Sequence, residues 1–141
     1  MILRNATEMS ADEMAPYWAD IRTCLAIYCK RFSGEETVEN ILSECLEGKR
    51  TLWLCLDGDE VVLTPITEIV TINATGKKQL ILAEVGGSRL KECLPLLDDI
   101  ERWAKEVHGV EEAQLVGRKG WGRLLPELGY AEKARIYRKA L

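Results

Sequence analysis

Residues 79–107, QLILAEVGGSRLKECLPLLDDIERWAKEV, change their apolar period once, and the architecture follows from that change. Gln79 to Val85 is an almost unbroken apolar run of strand length, which needs cover on both faces. Gly86-Gly87-Ser88 breaks it. From there Leu90, Leu94, Leu97, Ile100, Ala104 and Val107 recur every three or four positions, the spacing of one face of a long helix. Pro95 delays or kinks the start of that helix, and Gly109 ends it. His108, the only histidine, falls at the helix end, where it reads as a helix-terminal residue rather than a zinc ligand.

Toward the N-terminus, Thr51 to Leu56 (TLWLCL) is a second apolar strand run, closed by the hairpin signal Asp57-Gly58. Val61 to Ile72 is rich in β-branched residues, and Pro65 within it predicts a bulge or an edge position. Ile2-Leu3-Arg4 is a short strand, and Ser10 to Glu13 has the form of a capping box. Pro16 precedes a helix carrying Ile21, Leu25 and Tyr28, up to Phe32. Ser33 to Glu36 reads as a second capping box, opening a helix with Val38, Ile41, Leu42 and Cys45 that Gly48 stops. Toward the C-terminus, Ala113 to Val116 is a strand. Trp121, Leu124, Leu125 and Leu128 share one face of a short helix closed by Gly129, and Ala134 to Leu141 is a final strand. The predicted order is β-α-α-β-β-β-α-β-α-β. It describes one α/β domain over residues 1–141, with a mixed, mostly antiparallel sheet and helices on both faces.

Composition agrees with a globular domain: of 141 residues, 47% are hydrophobic and 30% charged. No apolar run approaches the ~18 residues of a membrane span, and the start lacks a charged-then-apolar leader, so the expected location is the cytoplasm. Five cysteines without CxxC spacing read as buried reduced thiols, and no metal site is expected. Residues 118–141 hold seven basic and two acidic side chains, a balance of +5; with a total of −4, the preceding residues sum to −9. That asymmetry reads either as a face for an anionic partner or as the solvated side of a terminal strand.

The element order resembles that of the GNAT (acyl-CoA N-acyltransferase) family, and several segments add to the likeness. Ile2-Leu3-Arg4-Asn5-Ala6-Thr7 resembles the opening strand, and Leu124-Leu125-Pro126-Glu127-Leu128-Gly129-Tyr130 resembles the closing helix and turn. Gly86-Gly87-Ser88, Trp103-Ala104, Gly117-Arg118-Lys119-Gly120-Trp121 and Leu128-Gly129-Tyr130 are similar to the GNAT-like proteins of tailed bacteriophages and prophages.

The resemblance implies a coenzyme A site in which a glycine-rich loop and a helix start present backbone N–H groups to the pyrophosphate. Here the matching stretch is Glu84-Val85-Gly86-Gly87-Ser88-Arg89-Leu90, which makes Val85, Gly86, Gly87, Ser88 and Arg89 the candidate cofactor contacts. Its glycine spacing departs from the family pattern, and Glu84 would repel phosphate. The resemblance also implies a general acid in the closing helix, where Leu125 cannot move a proton; Tyr130 and Tyr137 are the nearby alternatives. A general base is offered by Glu84 or Glu68. Trp121 reads either as a core knob or, with Arg118 and Arg123, as an anchor for a partner.

Three functions fit. The first is a catalytically degenerate GNAT-fold protein of a phage or prophage, a structural or interaction component of the virion or its assembly. It would reside in the host cytoplasm or the particle, with other virion proteins or further copies of itself as partners. The second is an N-acetyltransferase with a divergent loop that uses acetyl-CoA; the first would need no cofactor. The third, a nucleic-acid-binding module, is disfavoured by overall acidity and few aromatics. The missing glycine spacing and Leu125 favour the first.

Overall fold

The computed structural model describes all 141 residues. Its sheet has five strands in the spatial order β1-β2-β3-β4-β5: β1 (Ile2–Asn5), β2 (Thr51–Asp57), β3 (Glu60–Thr71), β4 (Lys78–Gly87) and β5 (Val110–Leu115). Neighbours run antiparallel except β4 and β5, which are parallel and joined by a crossover helix. The helices are α1 (Ala11–Met14), α2 (Trp18–Arg31), α3 (Val38–Leu46) and α4 (Leu90–His108). None is long and apolar enough to cross a membrane.

The two apolar runs are β2 and β4, and β2 shows why such a run needs cover on both faces. Leu52, Leu54 and Leu56 meet Ile21, Leu25, Ile41 and Leu42 of α2 and α3. The alternating Trp53 faces the other way, into Leu97, Ile100 and Ala104 of α4. The indole N–H of Trp53 donates to Thr67 Oγ1 at 2.9 Å, which satisfies both buried polar groups. All five cysteines are free thiols, four of them buried and Cys29 half-buried.

Local signals explain most boundaries. Ser10 forms its capping box, accepting from the Glu13 N–H while Glu13 accepts from the Ser10 N–H. The second box does not form. Gly34 takes a left-handed φ of 84°, so the chain turns instead of starting a helix at Ser33. Thr37 caps α3, its hydroxyl accepting from the Asn40 N–H at 3.1 Å. Pro65 lies in the central strand, not at an edge, opposite Val85; the bulge falls beside it, between Ile66 and Thr67. Pro95 sits within α4 without ending it, and Gly109 caps the helix at φ 68°.

The C-terminal elements differ from expectation. The closing helix is two 3-10 turns, Lys119–Arg123 and Leu125–Leu128. Gly120, Gly122 and Pro126 lie within seven residues, and their backbone costs keep an α-helix from propagating. Ala134–Leu141 forms no strand: residues 131–141 make no backbone hydrogen bond, and the far edge of β5 stays open.

Candidate functional site

The parallel pair that closes the sheet also opens its cleft. β5 follows β4 only from Lys78 to Leu82, after which β4 continues to Gly87 alone. The wedge between them holds a cavity of about 350 Å³, walled by the end of α2, the second half of β4, and the segment after β5. That volume is at the low end of ligand pockets.

Glu84 is the charged centre of this cleft. It points toward the α2–α3 side of the sheet and is 6% exposed. One carboxyl oxygen accepts from Arg50 Nη1 at 2.6 Å; the other is buried without a partner. Arg50 also serves two further carboxylates. Its Nε lies 2.8 Å from Glu44, too poorly aligned for a hydrogen bond, and 3.9 Å from Glu68. Burial pushes the Glu84 carboxyl above the ordinary carboxylate range, against the pull of Arg50. Tyr28, also in the cavity wall, is raised by burial and then by the Glu84 charge. A buried carboxyl with a free oxygen and a raised pKa is chemically able to accept a proton or hold a cation.

The cavity gathers Glu84, Val85, Gly87, Ser88 and Arg89 with Arg118 and Trp121. It omits Gly86, Arg123 and Tyr130. Tyr130 is committed elsewhere: its hydroxyl donates to Glu101 of α4 at 2.5 Å, and burial followed by that carboxylate raises its pKa. Tyr137 is 86% exposed. Glu68 is half-buried beside Arg50, outside the cavity wall. Trp121 is half-buried, its ring laid over Gly117, while Arg118 and Arg123 are exposed. It is both a wall of the cavity and a neighbour of the α4 core.

The residues at the head of α4 do not fit a coenzyme A pyrophosphate. β4 stays in the β3 ladder through Gly86 and Gly87, and the Ser88 N–H donates to Val62 O at 2.8 Å, so the Ser88 amide is committed to the sheet. A Cβ on Gly86 would stand 2.3 Å from the Cys24 carbonyl oxygen, and one on Gly87 would stand 2.4 Å from the Val62 carbonyl oxygen. The glycines therefore admit α2 and β3, not a phosphate. Arg89 takes a left-handed φ of 57° and bonds to Asp57 at 2.7 Å and Glu92 at 2.6 Å. Glu92 puts a carboxylate in the first turn of α4, where an anion would otherwise be drawn to the helix start.

Arg50 and Tyr28 are missing from the sequence-derived site. Arg50 has one weak sequence signal, a basic residue directly before a buried strand, whereas Tyr28 is indistinguishable from its helix's apolar face.

No protein-family model matches the chain, and no curated protein matches it by sequence. Solved structures do. A probable acetyltransferase superposes with a TM-score of 0.72 at 12% identity, over 100% of this chain and 97% of that one. A ribosomal-protein-alanine N-acetyltransferase from Brucella melitensis biovar Abortus 2308 gives 0.71 at 11%, over all of both chains. An aminoglycoside acetyltransferase from an uncultured soil metagenomic sample gives 0.68 at 9%, over 99% and 95%. At such identities the likeness speaks for architecture alone, and the architecture is that of the GNAT acetyltransferases.

Proposed function

We propose that this chain is a GNAT-fold binding module that has lost acyl-CoA chemistry, working in the particle or the assembly of a tailed phage. The observation that carries the loss of chemistry is the head of α4, where the Ser88 amide, both glycines and the Arg89 side chain are engaged by the protein itself. The phage setting rests on the likeness of Gly117 to Trp121 and Leu128 to Tyr130 to the phage-encoded GNAT-like proteins. Acetyl-CoA at millimolar concentration should leave the melting temperature unchanged. A ligand at 100 times its dissociation constant would add ~2.7 kcal/mol, a rise on the order of 5–10 °C in a domain of this size. A rise of that order, abolished by Arg89→Ala, would sink the proposal.

One observation favours a second reading, an amine N-acyltransferase using acetyl-CoA. Glu84 keeps a buried carboxyl oxygen unpartnered in the cavity, as a base facing an amine would. The same titration separates the two.

As a binding module the protein would meet its partner through Arg118, Trp121 and Arg123, where exposed positive charge borders a half-buried aromatic. The double substitution Arg118→Ala, Arg123→Ala should leave the melting curve in place and weaken capture of the native assembly in a pull-down by about tenfold or more. Full capture by the variant would reduce this edge to a solvated face.

A further inference from the structure

Seven of the ten arginines pair with a carboxylate, and the three that do not are Arg31, Arg118 and Arg123. Two of these three, Arg31 at the end of α2 and Arg118 after β5, line the cavity beside β4 from different walls. The other charges in that lining are already matched. Glu84 has Arg50, Glu35 has Arg138, and Arg89 has Asp57 and Glu92. The cavity therefore presents two guanidinium groups that no acid of the chain answers.

The rest of the lining is largely apolar and only partly covered. Tyr28, Phe32 and Trp121 are each half-buried, and Val116 is 64% exposed. The Tyr28 and Phe32 rings meet at 4.8 Å on α2, while Trp121 lies over Gly117 in the segment after β5. An apolar ligand body would take this surface out of water, and aromatic walls suit an aryl or branched one. A guanidinium matches a carboxylate with parallel N–H···O bonds, and the match strengthens where water is partly excluded. Glu35 and Glu84 repel a second negative charge, so the cavity suits a monoanion better than a phosphate dianion. At about 350 Å³ it has room for one small molecule, at the low end of ligand pockets. We propose that the cavity binds a small amphipathic monocarboxylate, its carboxylate held by Arg31 and Arg118 and its aryl or branched apolar body against Phe32 and Trp121. This rests on the reading above in one respect only, that the cavity is free of coenzyme A, and the acetyl-CoA melting test decides that point by itself. Neither a phage setting nor a protein partner is required.

The probe is 3-phenylpropionate, titrated into the purified chain and followed by calorimetry and by saturation transfer to its ring protons. It should bind with a millimolar Kd or tighter. The alcohol 3-phenylpropanol keeps the body without the charge, and inorganic phosphate keeps charge without the body; each should bind at least about tenfold more weakly. The double substitution Arg31→Gln, Arg118→Gln should weaken the probe by about tenfold or more. Its melting curve should stay in place, since both side chains are exposed and unpaired. Lys30→Gln with Lys119→Gln is the matched control. It removes the same charge from the immediate neighbours of the two arginines, outside the cavity, and should leave the affinity unchanged. Absence of probe binding to the wild-type chain at tens of millimolar overturns the proposal. So does equal binding of the alcohol, or a loss in the lysine variant equal to that in the arginine variant, which would reduce the effect to the general charge of that face.

Discussion

Gly86→Ala is expected to cost about 3 kcal/mol or more of folding free energy, a large effect for one methyl group. The added Cβ would lie 2.3 Å from the carbonyl oxygen of Cys24, 2.9 Å from its carbon and 3.2 Å from Leu25 Cα. All three are backbone atoms in the middle of α2, so no side-chain rotation relieves the clash. Relief requires α2 to lift from β3 and β4, and that would open the cluster around Ile21 and Leu25, both fully buried. Gly120→Ala is the matched control, with nothing within 4 Å of its Cβ, and should change stability by less than about 0.5 kcal/mol. Urea denaturation of the two variants decides the matter. If Gly86→Ala unfolds like wild type, the glycine pair is not there for the helix, and a loop open to phosphate returns as its explanation.

That ambiguity marks the limit of what the sequence could reveal at this site. A glycine pair after a strand signals close approach of something to the backbone, but a helix and a pyrophosphate leave the same trace. The change of period at Gly86 was legible because burial on both faces of β4 and one face of α4 is written in the local pattern. The hairpin at Asp57-Gly58 was legible for the same reason, since its turn chemistry lies in adjacent residues. Arg50 was not, because its role comes from meeting Glu84, 34 residues away, across the sheet. Tyr130 has the position of a candidate acid in the chain, yet the two 3-10 turns before it direct its hydroxyl to α4. In the tail, Ala134 to Leu141 reads as a final strand, yet the sheet ends at β5 and these residues make no backbone hydrogen bond.

Arg50→Met should be the other costly change, and its cost should depend on pH. Arg50 is the only cation against Glu84, and Glu44 and Glu68 lie on the same guanidinium. Methionine keeps most of the volume and removes the charge, leaving a buried carboxylate beside two others. Breaking a buried pair in this way costs about 3–5 kcal/mol. The sign follows from Glu84. Its carboxyl is already raised by burial, so its contribution is fully present below the ordinary glutamate range, where folded and unfolded chains are both protonated. It is lost as pH climbs through the raised folded value, because the unfolded chain ionises first. Without Arg50 the folded pKa rises further and the loss steepens. The stability gap between wild type and Arg50→Met, measured by urea denaturation, should therefore be small near pH 4 and widen toward pH 8. Titrating groups away from Arg50 are common to both proteins and cancel in the difference. Adding Glu84→Gln to Arg50→Met should close most of the gap at pH 8, since the uncompensated charge is then gone. A gap that stays constant with pH, or that Glu84→Gln leaves unchanged, would mean that Arg50 acts through packing of its stem against the α3–β2 turn and not through the buried carboxyl.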